Sequence, residues 1–446
     1  MFGIVVSRAD EASEHVGEHL LEISDWTERE DPTRPDATGG GTYHARDGVE
    51  LRTFEDLHLN LQDAAAAFTD PDLLAFVSRH AGETGPLLTA HFTGNVGPAE
   101  YGGADGELAR AAPNAGDRAL ASLREHAPEG YDVAMECTHH GPSGVGAPSL
   151  FVEVGSAEPQ WRDPDAAGAV ARAALDLAGA PPGAERTVVG FGGGHYAPRF
   201  SRIAQETDWA VGHVAADWGL DALSNAGIDD RSVIEQAFER SGATRAAIDG
   251  AVPDVEATIE DLGHEVVSET WLRETTGVPL ALVARLEDAL STIDAGLRLG
   301  APARGAGPDA AFETVTPDPD LLSDLQGIDA GRARDAVADR ALAFETAEGG
   351  RRVAGSLAIA PGAYDGILEA FRRLLSERFE AVERAEGEIR VTERAFDPAR
   401  ARELGVPEGP AFGKLANGTP VEVGDRTVEP AAVHARERRS YVVSVE

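Results

Sequence analysis

Leu87-Leu88-Thr89-Ala90-His91-Phe92-Thr93-Gly94-Asn95 decides the fold class, because a strand-length, mostly apolar run carries a histidine at its end and passes into a polar turn with glycine. The same pattern recurs along the first half of the chain. Apolar, strand-like runs occupy residues 2–7, 73–77, 87–92, 132–136, 150–154, 187–191, 209–214 and 246–249. Between them, residues 11–23, 117–126, 166–178, 199–206, 232–240 and 255–262 carry helical spacing, with Ser7 or Asp10 available to cap the first helix. Repeated strand and helix units predict an α/β fold with a mixed, largely parallel sheet flanked by helices over residues 1–275.

Two segments interrupt this alternation. Residues 25–41, with Pro32, Pro35 and three successive glycines, read as a polar loop, and residues 43–53 read as a hairpin around Asp47-Gly48. Beyond Gly277 the pattern turns to long Ala, Leu and Glu-rich stretches at 279–299 and 364–386, separated by the Gly and Pro-rich residues 300–308. A second domain over 276–446 is therefore expected, helical and ending in a small β element at 409–446, where Asn417-Gly418 and Gly424-Asp425 supply turns.

Composition constrains the setting. The formal net charge is −38, from 39 Lys plus Arg against 77 Asp plus Glu, and Lys414 is the only lysine. With 42% hydrophobic residues in periodic patterns the chain has enough apolar surface to fold, so this is an acidic globular protein rather than a disordered one. Such a balance fits a high-salt cytoplasm, where a Debye length of roughly 3 Å at 1 M salt screens the carboxylates from one another. The single cysteine, Cys137, excludes an intrachain disulfide and a Cys-based zinc cluster. No signal-like start and no apolar run of membrane-spanning length is present, so a cytoplasmic monomer with no membrane role and no DNA partner is expected.

The histidines point to chemistry. His91, the adjacent His139 and His140, and His195 after Gly192-Gly193-Gly194 each close or follow an expected strand. Ligands of open α/β sheets gather beyond strand ends, so these loops can converge. Imidazoles near neutral pH serve as acid, base or metal ligand, and with Glu136 nearby they could hold zinc and a water. Neighbouring side chains on an extended segment face opposite ways, so His139 and His140 share an ion only if the chain turns sharply, which Gly141-Pro142 permits. The three glycines free backbone N–H groups toward an anion ahead of a helix. Gly141-Pro142-Ser143-Gly144-Val145 lacks the last glycine of a serine-hydrolase elbow, and Cys137 reads as a packing residue rather than a nucleophile.

At these segments the chain resembles the archaeal and plant D-aminoacyl-tRNA deacylases. The resemblance lies in Ser78-Arg79-His80, in Leu88 to Asn95, in Tyr101-Gly102-Gly103, in Glu136-Cys137-Thr138-His139-His140-Gly141-Pro142, in Pro148 to Ser156 and in Gly192-Gly193-Gly194-His195-Tyr196-Ala197-Pro198. It spans roughly residues 1–270 and departs at Cys137, where the family usually has alanine, and in an enlarged 25–53 region. It implies a fold similar to phosphorylases and peptidyl-tRNA hydrolases, and zinc-dependent hydrolysis of D-aminoacyl-tRNA to tRNA and a D-amino acid. Under it, His91, His139, His140 and His195 become metal ligands or acid/base groups, Glu136 and His80 catalytic groups, and Thr93 and Asn95 orienting donors. Arg79, Gly192, Gly193, Gly194, Tyr196 and Arg199 become substrate contacts, with Arg202 a further candidate. A zinc-dependent peptidase or amidohydrolase, or a non-catalytic tRNA-binding protein with a structural metal, are the alternatives. In the second domain, Gly409 to Leu415 resembles a short segment near the C-terminus of ribonuclease Z, which makes Lys414 a candidate tRNA contact, against the plainer reading of a β turn.

Overall fold

The computed structural model describes residues 1–181, 183–385 and 387–443. The chain divides into two compact units, Met1–Arg273 and Glu274–Glu446.

The first unit is built on eight strands in one sheet: β1 (Phe2–Ser7), β2 (Thr27–Asp31), β3 (Gly41–Arg46), β4 (Val49–Phe54), β5 (Leu73–Arg79), β6 (Leu87–Phe92), β7 (Asp132–Met135) and β8 (Ser149–Gly155). Their order is β2-β3-β4-β1-β5-β8-β6-β7. From β4 to β8 the neighbours are parallel, β6 then runs antiparallel to β8, and β7 is parallel to β6. Two opposing sets of strands therefore meet at the β8/β6 seam. A second, all-parallel sheet comprises β9 (Thr187–Gly192), β10 (Ala210–Ala215), β11 (Arg245–Asp249) and β12 (Glu265–Val266) in the order β10-β9-β11-β12.

The strands form where the sequence is apolar because both faces are covered. β1, β6, β8, β9 and β10 are buried along their whole length, as expected for parallel strands under helices. Helix Glu11–Glu22 starts at Asp10, whose carboxylate accepts the Ala12 N–H, and helix Pro164–Asp176 starts at Asp163, which accepts the Asp165 and Ala166 N–H groups. The second of these packs against the first and against helix Pro113–His126. Phe76 and Phe151, fully buried with ring centroids 5.1 Å apart, fill the layer beneath the β5/β8 pair.

Two expectations for this unit are revised. The polar loop at 25–41 contains β2, which pairs antiparallel with β3 and extends the Asp47-Gly48 hairpin to three strands. Its residues are mostly exposed, so no hydrophobic alternation marked it. Helix Asp217–Ala226, absent from the sequence reading, follows β10 directly.

The second unit departs further from the helical domain expected. Helix Leu280–Ala289 stops early, and Leu297–Leu299 is a strand in the antiparallel order Leu297–Leu299, Ala341–Ala347, Arg352–Ile359, Glu313–Val315. Helix Pro319–Ala338 packs on that sheet, and helix Tyr364–Leu375 packs against that helix. The stretch expected to stay helical to 386 becomes a strand at Ala381–Ala385, which pairs with Glu388–Phe396. Alanine supplies helix propensity wherever it stands, and tertiary pairing overrides that preference here. Ile389, Val391 and Tyr441 join Leu357, Ile367 and Phe371 in one core. Lys414 lies exposed on the short helix Pro410–Ala416, not on a β turn.

Candidate active site

The β8/β6 seam positions a buried cluster of titratable side chains. Glu153 lies within β8, His91 on β6, His80 directly after β5, Glu136 directly after β7 and His195 after β9. The last joins the first sheet through main-chain bonds, Cys137 N–H to His195 O at 2.9 Å and Thr138 N–H to Val214 O at 2.8 Å.

Glu136 is the hub. His195 Nε2–H donates to Glu136 Oε2 at 2.7 Å, His80 Nδ1 stands 3.1 Å from Oε1 and His139 Nε2 is 3.8 Å from Oε2. Burial opposes ionisation of Glu136, but its bonds to His195 and His80 outweigh it and hold the carboxyl well below the usual carboxylate range. Glu153 is the second carboxylate: Ser78 Oγ–H donates to Oε1 at 2.7 Å, and His80 Nδ1 and His91 Nε2 each lie 3.7 Å from an oxygen. Burial again opposes its charge, and His80 and His91 again lower its pKa.

His80 sits between two carboxylates. Burial disfavours its charge, yet hydrogen bonding to Glu136 and Glu153 raises the pKa to about 11, so it is an imidazolium at neutral pH. Its Nε2 lies 3.1 Å from the Tyr196 hydroxyl. A protonated ring can only donate, so Tyr196 accepts there and its own O–H is left to point elsewhere.

The other histidines are arranged differently. His91 Nδ1 lies 3.0 Å from Phe92 O, and His139 Nδ1 lies 2.8 Å from Cys137 O. A carbonyl only accepts, so both Nδ1 atoms carry a proton; the neutral His139 keeps a lone pair on Nε2, and His91 has one there only once the proton favoured by Glu153 has left. His91, His139 and His140 bring ring nitrogens within 4.8 Å of one another, and His91 Nε2 and His140 Nδ1 are buried without a hydrogen-bond partner. Burial, helped by the neighbouring His91, lowers the His139 pKa to about 4, and burial with His139 holds His140 well below its ordinary value. Neutral imidazoles such as those of His139 and His140 are donors of the kind that a borderline metal such as zinc takes. His91 goes the other way: burial opposes its charge, and Glu153 overcomes it and raises the pKa.

His139 and His140 do converge, with ring centroids 4.2 Å apart. The chain bends between Cys137 and Gly141, whose φ of 105° suits glycine, so the opposed directions of an extended strand do not apply. His139, His140, His80, His195, Tyr196, Glu153 and Arg79 line a cavity of about 510 Å³, together with His58 and Tyr101.

Other sequence candidates have different roles. Thr93 Oγ1 bonds Ser149 Oγ at 2.6 Å, and Asn95 Nδ2 donates to Gly102 O at 2.7 Å, so both hold loops rather than face the cavity. The glycine run is no anion cradle. A Cβ on Gly193 would meet Asp249 Oδ2 at 2.6 Å, and one on Gly192 would meet Asp249 O at 2.2 Å. The glycines let β9 approach the end of β11, where a carboxylate already stands. Arg202 binds Glu269 through Nε and Nη2 at 2.9 and 2.7 Å, and Arg199 lies 3.4 Å from Glu269 and 3.7 Å from Asp249. Arg79 keeps a place in the cavity wall, its guanidinium 5.3 Å from the Trp161 ring centre.

Sequence reasoning missed Glu153, although a carboxylate inside the apolar run Leu150 to Val154 needs a buried partner and was itself a signal. His58, 3.8 Å from Asp10, was also missed. Cys137 is buried, and burial with the Glu136 charge pushes its thiol up to about 12, which leaves it protonated.

Comparison with known proteins agrees with this architecture. Residues 67–267 match the D-aminoacyl-tRNA deacylase family. Proteins named D-aminoacyl-tRNA deacylase from Natronomonas pharaonis and Halorubrum lacusprofundi are each 55% identical to the chain, over 98% of it and 99% and 96% of the relative. One from Haloarcula marismortui is 50% identical over 99% of the chain and 100% of the relative. The crystal structure of a conserved protein of unknown function, AF0625, superposes with a TM-score of 0.55 at 28% identity, covering 62% of this chain and 98% of that one. Across its whole length, and not only the half that bears the histidine cavity, the chain belongs to the D-aminoacyl-tRNA deacylase family.

Proposed function

We propose that the chain hydrolyses the ester of D-aminoacyl-tRNA, releasing tRNA and a D-amino acid, with the Glu136–His195 pair as general base. The 2.7 Å bond from His195 Nε2–H to the ionised Glu136 carries this reading. It fixes the tautomer so that the lone pair of His195 lies on Nδ1, 3.9 Å from the Cys137 sulfur, and an attacking water would replace that weak thiol contact to give up its proton there. The Tyr196 O–H, released by the imidazolium of His80, donates to the carbonyl oxygen as negative charge develops on it. An aminoacyl ester is reactive enough that no covalent intermediate is needed, and the protonated Cys137 offers none.

His91, His139 and His140 are the residues that would hold zinc, on the strength of their orphaned nitrogens. When bound, zinc would supply Lewis-acid polarisation and acidify a water. Glu153, 3.7 Å from His91 Nε2, would offset part of the positive charge held by these rings.

The reading is tested with D- and L-tyrosyl-tRNA in molar salt, with and without a chelator. Release of D-tyrosine alone, lost on chelation and restored by zinc, is expected. Release of neither with zinc present overturns the deacylase reading, and chelator-insensitive release overturns the metal.

A further inference from the structure

Among the described residues, the exposed large aromatic side chains are Tyr101, at 61% relative exposure, and Trp218, at 48%. Both stand at the same site. Trp218 is the second residue of helix Asp217–Ala226. Its ring lies nearly parallel to His195, with 21° between the planes and 6.2 Å between the centroids, and its indole N–H faces the Cys137 thiol. Tyr101 belongs to the wall of the histidine cavity. Its turn continues through Gly102 and Gly103 at φ of 81° and 83°, and is held by Asn95 Nδ2 on Gly102 O and by Gly141 N–H on Tyr101 O at 3.1 Å.

A large apolar ring left half in water forgoes the burial that stabilises most aromatics, and such a ring beside a polar cavity is suited to contact a ligand there. Trp218 lies against the proposed general base His195 and Tyr101 stands in the wall of the same cavity, and neither ring is buried in a core. The cationic route to a nucleic acid is narrow here: Arg79 lines the cavity, but Arg199 and Arg202 are committed to Asp249 and Glu269 and the chain carries a net charge of −38. Stacking needs no net charge and survives molar salt.

We infer that Trp218 and Tyr101 form the platform on which the unpaired 3′-terminal nucleobase of the substrate stacks, setting the esterified ribose over His195. The inference rests on the deacylase reading and names how that site takes hold of its tRNA.

The test uses the full chain in molar salt, with D-tyrosyl-tRNA and D-tyrosine methyl ester compared side by side. Trp218→Ala and Tyr101→Ala are each expected to raise KM for the tRNA by about tenfold, in line with the loss of one base–aromatic stack. The penalty on the methyl ester, which has no base, is expected to be several-fold smaller, and Trp218→Phe is expected to recover most of the tRNA affinity. Adenosine 5′-monophosphate is expected to quench the fluorescence of the wild type more than that of Trp218→Phe. Equal penalties on tRNA and methyl ester, or an unchanged KM for tRNA, would overturn the platform. A wild-type protein that releases no D-tyrosine defeats the deacylase reading instead, and the quenching titration then decides the platform on its own: equal quenching in both proteins overturns it.

Discussion

His195 and Glu136, fifty-nine positions apart in the chain, meet at 2.7 Å where the segments that follow β9 and β7 are joined by a main-chain bond from Cys137 N–H to His195 O. The pair is built from two sheets, so its geometry reports on both.

Glu136→Gln keeps the shape of the buried hub but removes the charge that orients His195 and supports its protonated form. The expected result is a fall in kcat on D-tyrosyl-tRNA of about a hundredfold or more, with a much smaller change in KM. A kcat within threefold of wild type would remove Glu136 from the mechanism.

Metal content separates the histidines. Wild-type protein dialysed against zinc is expected to retain one equivalent by elemental analysis, and His91→Asn or His139→Asn to lose most of it. His195→Asn is expected to keep the metal while losing activity. If His195→Asn lost zinc and His91→Asn did not, the ligand set would have to be redrawn around Cys137, His139 and His195, whose donor atoms also lie close together.

Cys137→Ala is expected to leave kcat within about threefold, because a thiol held at about 12 is no nucleophile at neutral pH. Slow alkylation of the native protein at pH 8 should accompany this. Complete inactivation by the substitution, with an unchanged melting temperature, would contradict it.

Asp117 gives a pH signature in stability. It lies on helix Pro113–His126 with Oδ1 buried and unpartnered, and burial raises its pKa from 3.8 to about 8. Between those values the folded state holds a proton that the unfolded chain has released, so this group's contribution to stability declines as pH rises from about 4 to about 8. Asp117→Asn cannot ionise. Its melting temperature is expected to gain on wild type by several degrees between pH 5 and pH 8, and parallel curves across that range would show that Asp117 ionises freely.

Much of the first unit was legible because its strands are buried on both faces, which makes Leu87 to Phe92 or Thr187 to Phe191 read as uninterrupted apolar runs. The histidines were legible because each stands at a strand end. Glu153 was not, because it occupies mid-strand and looked like a lapse in an apolar run rather than half of a pair with His80. Thr93 and Asn95 carried the right chemistry for orienting donors, and only the fold shows their bonds spent on Ser149 and Gly102. Exposure is a tertiary property, so nothing in the local sequence distinguished Trp218 from the buried Trp209. In the second unit, Ala341–Ala347 and Arg352–Ile359 are rich in alanine and short of β-branched residues, so their pairing left little trace in the sequence.

The protons on His91 and His139 are placed by the carbonyls of Phe92 and Cys137, that is, by the main chain. Many metal-binding histidines depend on a neighbouring carboxylate for this service, and a single substitution can withdraw it. Here no side-chain replacement at Phe92 or Cys137 deletes the acceptor. Residues around the two rings are thereby free to drift in response to salt or temperature while the tautomers stay as they are, and an alanine in place of Cys137 would offer His139 the same oxygen.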